Sequence, residues 1–406
     1  MSCTRPTLRL ATLVTAALIA LGARAQEAVR PDVGKPLQAA QELIKAGKYK
    51  DALAKVRDAD AVGGKNANET FLIERMRIAA ASGAGEADTA ARSFEALAAG
   101  GRVSGPDKAR MAESIAGGYY RNKDYAKAMQ WGQRYFKEGG TNPAIRTLLI
   151  QSQYLAGDFA GAARELTTEI QTAEKGGAAP AQDRLNLLLN AALQLKDANT
   201  TVFALERLVT YYPKKEYWVD LLSRMQRKPN FSDRLVLDTY RLSLATGSMS
   251  AANDFMEMSQ LALQADHAAE ARQVVDKGFA SGALGQGAEA ARHKRLRDLV
   301  AKRLAEATAS QAEDEKQAAA MKDGNELVNI GFALAMGGNA AKGLPMIQQG
   351  IAKGGLKRPE DAKLHLGIAQ ALAGDNRAQA TLRGVGGSDG TAELARLWGL
   401  YAKRKG

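Results

Sequence analysis

Lys123-Asp124-Tyr125-Ala126-Lys127-Ala128 and, 34 residues further on, Gly157-Asp158-Phe159-Ala160-Gly161-Ala162 carry one short signal in two copies. A Gly or Asn ends one helix in the left-handed conformation. An Asp or Asn then caps the next. The aromatic that follows covers the joint, and the Ala beyond it lets the two helices approach closely. Gly47-Lys48-Tyr49-Lys50-Asp51-Ala52 is an earlier copy, and Tyr49 lies 76 residues before Tyr125, two units of 38. Ala265-Asp266-His267-Ala268, Gly338-Asn339-Ala340-Ala341 and Gly374-Asp375-Asn376-Arg377 are looser copies. The spacing predicts a helix–turn–helix of 34–38 residues, repeated along the chain.

A second repeat is independent of the first. Gly278-Phe279-Ala280-Ser281-Gly282-Ala283-Leu284 recurs 72 residues later as Gly350-Ile351-Ala352-Lys353-Gly354-Gly355-Leu356, again two units. It reads as the end of a second helix, with glycines allowing the turn into the next unit. The stretches between the turns have helical period, as in Leu185, Leu188, Leu189, Ala192 and Leu195, or Leu327, Ile330, Leu334 and Ala335. Pro143, Pro213, Pro229 and Pro359 fall at candidate helix starts, where a missing N–H costs little. Strand-type alternation is almost absent, aromatics are only 6% of the chain, and Ala, the best helix former, is abundant.

These signals resemble the tetratricopeptide repeat, a helix pair of about 34 residues. Tyr119, Tyr125 and Ala128 match its pattern in one unit. Gly331 and Leu366-Gly367 match its small-residue position. The first-helix Trp is missing from the clearest units, and the closing Pro from most of them. The resemblance implies an all-α, right-handed α-solenoid of antiparallel helix pairs. It also implies that the face formed by the first helices takes a peptide or protein segment. Gly350 to Leu356, Asp361 to Ala369 and Leu394-Ala395-Arg396-Leu397-Trp398 are further similar to periplasmic repeat proteins that accompany TonB-type energy transduction systems.

Residues 1–25 read as a signal peptide: Arg5 and Arg9, an apolar run from Leu10 to Leu21, and Ala23-Arg24-Ala25 for cleavage. The alternative is an uncleaved anchor. Cleavage removes Cys3, the only cysteine, so no disulfide and no cysteine metal site is expected in the mature chain. It also removes three arginines and no acid, lowering the formal charge from +12 to +9. Export argues against nucleic acid as the target of that charge. The expected division is a disordered segment 26–35, a repeat array 36–284, a long helix or hinge 285–323, and C-terminal units with a capping helix over 324–406. Over 285–323 one long helix or two weakly joined helices are open readings, as are a hinge and a seam in one solenoid.

A search for chemistry finds little. His267, His293 and His365 lie far apart, none at metal-ligand spacing from another. His267 reads as a turn residue in the place of the usual aromatic, and His365 as a helix-face residue. There is no nucleophile elbow, P-loop or dinucleotide-binding loop. The carboxylates Glu313 and Glu315 read as a solvated helix face. The expectation is a protein that is not an enzyme and has no cofactor or metal. Candidate partner-binding residues are Tyr211, Tyr212, Tyr217, Trp218 and Arg224, of types that dominate interface hot spots, with Arg292 and Arg295 from a basic run. The competing readings are rings that fill the joint between two helix pairs and a solvated basic face. Tyr119, Tyr120, Tyr125, Trp131, Tyr135 and Phe136, at helical spacing, read as core. The expected function is a periplasmic scaffold or adaptor for envelope proteins, with TonB-linked transport as the finer reading. The alternative is a solenoid binding glycan or a small ligand at the cell wall.

Overall fold

The structure, a computed structural model, describes residues 28–403. The signal-peptide reading, Cys3 included, lies outside them. Every regular element among the described residues is helical. Two units can be distinguished, one ending at Asp158 and one beginning at Phe159.

The first unit is a run of antiparallel helix pairs: α1 (Pro31–Lys45) with α2 (Tyr49–Asp60), α3 (Ala67–Ala84) with α4 (Ala87–Ala99), α5 (Gly105–Arg121) with α6 (Tyr125–Lys137), and then α7 (Pro143–Leu155). Local chemistry sets the joints. Gly47 and Gly157 take φ of 72° and 85° at the helix ends, and Lys123 is forced to 61° at the equivalent place. The Asp124 carboxylate accepts from the Lys127 N–H at 3.1 Å, capping α6. The Tyr49 ring lies against Gly83 of α3, where a Cβ would collide with it, so the turn aromatic does cover the joint. Residues 31–35, expected to be disordered, form the first turn of α1: Pro31 starts it and Val33 is fully buried. The first helices α1, α3, α5 and α7 lie side by side, and the second helices pack behind them.

The second unit contains α8 (Phe159–Lys175), α9 (Gln182–Gln194), α10 (Ala198–Tyr211), α11 (Lys215–Gln226), a 3-10 turn at Asp233–Leu235, α12 (Val236–Thr246), α13 (Ala252–Gln264) and α14 (Ala268–Ala280). Then follow α15 (Ala290–Ala320), α16 (Asn325–Met336), α17 (Ala340–Lys353), α18 (Pro359–Ala373), α19 (Ala378–Arg383) and α20 (Thr391–Lys403). Helix pairs recur here too, most intimately in α16 and α17. Pro143 and Pro359 start helices as expected, whereas Pro213 precedes α11 by two residues and Pro229 lies in the loop before the 3-10 turn. Residues 290–320 form one continuous helix that packs on α13, α14 and α16.

The repeated glycines divide their labour. Gly282 and Gly354, with φ of 75° and 78°, make the turns. Gly278 and Gly350 are buried inside helices instead. A Cβ on Gly350 would come within 2.7 Å of the Gly324 carbonyl oxygen, and one on Gly278 within 2.7 Å of Leu284. They serve close packing rather than the turn assigned to them from sequence.

The second unit closes on itself. α20 packs not only on α18 and α19 but also on α10 and α12. Arg234 donates twice to Asp361 at 2.8 Å, reaches Asp389 at 2.9 Å, and donates to the Thr391 hydroxyl at 2.8 Å. Lys228 meets Glu393 at 2.7 Å, and Arg396 meets Glu206. Beneath these pairs one core joins Leu205, Trp218 and Leu242 to Leu394, Leu397 and Trp398. The terminal helix, expected to cap the last pair, therefore also covers helices of the middle of the chain.

Candidate functional site

The first unit keeps its face of first helices open. Arg75 and Ala79 on α3, Arg110, Ser114 and Arg121 on α5, and Gln151 on α7 are exposed. Spacings of four and seven residues put the α3 pair and the α5 trio each on one side of its helix. Two bonds brace this surface: the Tyr120 hydroxyl meets Gln151 at 3.0 Å, and Arg121 donates to the Ser82 carbonyl at 2.8 Å. Behind it the expected core aromatics pack on one another. Phe94 meets Trp131 edge-on with ring centres 4.9 Å apart, and Tyr135 meets Phe136 at 5.1 Å.

The candidate aromatics lie at the α10–α11 joint. Trp218 is 1% exposed, inside the core and out of reach of a partner, and its indole N–H has no hydrogen-bond partner. The three tyrosines are half-buried, and their hydroxyls tie α10 and α11 to the preceding pair. Tyr211 donates to Glu174 at 3.2 Å, Tyr212 to the Pro180 carbonyl at 2.8 Å, and Tyr217 to Asn186 at 3.2 Å. Burial pushes the Tyr211 phenol up, helped by the Glu174 charge. Arg224 is held by Asp220 one turn away at 2.8 Å. Arg292 and Arg295 stand on a different helix, α15, where both are exposed and Arg292 pairs with Glu289 at 3.4 Å. The tyrosines and Trp218 form one group, with the two α15 arginines on a separate element.

A charged cluster inside the second unit was not among the expected sites. Arg241 of α12, 4% exposed, donates to Glu270 at 2.7 and 2.6 Å and to Asp238 at 2.6 Å. Its guanidinium lies 4.6 Å from the centre of the Phe332 ring. His365 stacks on the same Phe332 ring with ring centres 4.1 Å apart and reaches Asp238 at 3.2 Å. His267 meets Phe332 edge-on at 5.6 Å and contacts Arg241 through Nδ1 at 2.7 Å. Arginine only donates, so His267 Nδ1 is the acceptor of that bond. Burial alone would raise Asp238 and Glu270. The contacts of His365 and Arg241 with Asp238, and of Arg241 with Glu270, hold both carboxyls well below their ordinary range. Two histidines expected to be unrelated thus converge, and a guanidinium occupies the centre. The signal available in sequence was the spacing of three in Asp238/Arg241 and His267/Glu270, one helical turn each. Among the described residues no group of three His, Cys, Asp or Glu is arranged to hold a metal ion. No helix among them is long and apolar enough to cross a membrane.

No protein family's sequence profile matches the chain, and no curated protein sequence matches it. Among solved structures the chain is similar to yeast Tom70, at 10% identity and a TM-score of 0.25 over 92% of this chain and 96% of that one. It is also similar to the TPR domain of P58(IPK), at 11% identity and a TM-score of 0.23 over 92% and 98%. Naa15/Naa10 bound to HypK-THB is a third, at 14% identity and a TM-score of 0.27 over 86% of this chain and 62% of that one. The assignment of this chain as an all-α array of tetratricopeptide-like helix pairs rests on its own turn chemistry, spacings and helix contacts.

Proposed function

We propose that the chain is a protein-binding scaffold whose partner lies along the first helices of the first unit. The observation that carries the reading is the open row of α1, α3, α5 and α7, with exposed Arg75, Arg110, Ser114, Arg121 and Gln151 on a braced backbone. Rigid helices presenting polar and cationic side chains suit an extended segment that carries acids. The finer reading places this scaffold in a bacterial periplasm, exported through residues 1–25, where it serves envelope proteins of a TonB-type machine. Its support is the Arg5-to-Ala25 pattern and the likeness of the C-terminal segments to such periplasmic proteins.

A photocrosslinking residue at Ser114, with a control at the exposed Arg383, tests the reading in cells. A discrete envelope-protein adduct at position 114 and none at 383 is the expected result. Adducts only at 383, or at neither position, would remove this face as the binding surface. The mass of the recovered protein tests export separately, because cleavage leaves a chain beginning near Gln26.

A further inference from the structure

α15 is the longest helix among the described residues, at 31 residues, and its charge is divided along its length. Its first half carries Arg292, Lys294, Arg295, Arg297, Lys302 and Arg303 against the single acid Asp298. Its second half carries Glu306, Glu313, Asp314 and Glu315 against Lys316. The order opposes the helix macrodipole, which favours acids near the N-terminus and cations near the C-terminus. Its contact between Lys302 and Glu306 also runs in the weaker cation-first direction. The helix gains little for itself from this pattern.

One face of α15 is spoken for. His293, Leu296, Val300 and Ala318 are buried where the helix packs on α13, α14 and α16. The opposite face bears Arg295, Leu299, Lys302, Glu306, Ala309 and Glu313, at steps of four, three, four, three and four. All six are exposed, and Leu299, at 45%, is among the few large apolar side chains that are. These steps are the spacing of a two-helix seam. The stripe is self-complementary about Leu304. Arg295 and Glu313 each lie nine residues from it, about 14 Å along the axis. Lys302 and Glu306 lie two residues from it, and Leu299 and Ala309 five. Turning a second copy end for end sets each cation of the stripe on an acid and Leu299 on Ala309.

We propose that α15 pairs antiparallel with α15 of a second copy of this chain, about a two-fold axis near Leu304. A two-fold contact uses the same patch on both copies. A patch whose two signs sit at equal distances from one point meets that condition, where an unrelated acidic partner would engage only the basic half. The expected assembly is a dimer that weakens as salt rises, because its rim is ionic.

Sedimentation velocity on the full chain at low and high salt, with two charge-reversal variants, tests this. Arg295→Glu with Lys302→Glu makes the stripe wholly acidic, and Glu306→Lys with Glu313→Lys makes it wholly basic. The expected result is a salt-sensitive dimer for the unaltered chain, a monomer for each variant alone, and a dimer when the two variants are mixed. Misfolding cannot produce that restoration. A monomeric unaltered chain at low salt, a dimer that ignores either reversal, or a mixture that stays monomeric would overturn the proposal. Binding of the unaltered chain to anionic vesicles without self-association would overturn it too.

Discussion

At the scale of single residues, one carboxylate and one guanidinium show what holds the chain locally. Glu69 accepts from the Arg30 side chain at 3.0 and 2.9 Å, from the Arg30 N–H at 2.9 Å, and from the Asn66 N–H at 3.0 Å. The Arg30 and Asn66 bonds lower its carboxyl from 4.5 to about 2. A pKa depressed on folding contributes stability above the unfolded value, and that contribution is lost as pH falls through the folded one. Glu69→Gln is therefore expected to lower Tm at neutral pH, by circular dichroism. The gap to the unaltered chain should close between pH 4.5 and about 2. A gap that stays constant would show that the ionisation of Glu69 is not the source of the loss. Arg241 is the opposite kind of residue, buried with two acids. Arg241→Met takes the guanidinium from Asp238 and Glu270 and leaves each buried carboxylate with only a histidine contact, and removing one partner of a buried pair costs about 3–5 kcal/mol. Chemical denaturation is expected to show a loss of that size, and a loss below about 1 kcal/mol would mean that water reaches the cluster.

The elements were largely legible because their ends are local. Asp124 and Asn339 cap the helices that their turn signals announced, and Gly47, Gly157, Gly338 and Gly374 take the left-handed conformation expected of them. How two helices approach is less legible, since it depends on which atoms face each glycine. In the α16–α17 pair a Cβ on Gly343 would lie 2.7 Å from the Ala335 nitrogen, and one on Gly331 2.8 Å from the Ile347 nitrogen. Gly399, inside α20, has open space around its Cβ position. The same substitution should therefore have opposite signs. Gly343→Ala gains about 1 kcal/mol of helix propensity but forces backbones apart, and overpacking costs about 1–3 kcal/mol or more. Gly399→Ala keeps only the gain. Thermal melts of the two variants should shift down and up respectively, and a stabilised Gly343→Ala would show that the pair has slack.

At the scale of the whole molecule, the sequence reading fails where contacts are long-range. Repeat arrays pack each unit on its neighbours, so the expected role of α20 was to cap the last pair. Nothing local announces that Arg234 will hold Asp361, 127 residues away, or that Trp218 and Trp398 will share a core. The same distance hid the meeting of His365 with Asp238. An open array and a closed unit differ in how far damage at the end travels. Without α20 an open array frays at α18 and α19 and leaves α11 intact. In the closed unit the core around Trp218 loses Leu394, Leu397 and Trp398 at once. The three tryptophans allow a direct reading, because Trp131 belongs to the first unit and Trp218 to the second. In a chain ended after Gly386 and carrying Trp131→Phe, Trp218 is the remaining indole. Its emission is expected to shift to the red, and amide exchange in α11 to accelerate. In a second truncated chain that keeps Trp131 and carries Trp218→Phe, the emission should stay where it is in full-length Trp218→Phe/Trp398→Phe. An unchanged Trp218 spectrum would make α20 a simple cap and the Arg234 clasp a surface decoration. A red shift would mean that the end of the chain is needed to finish a core begun near Leu205.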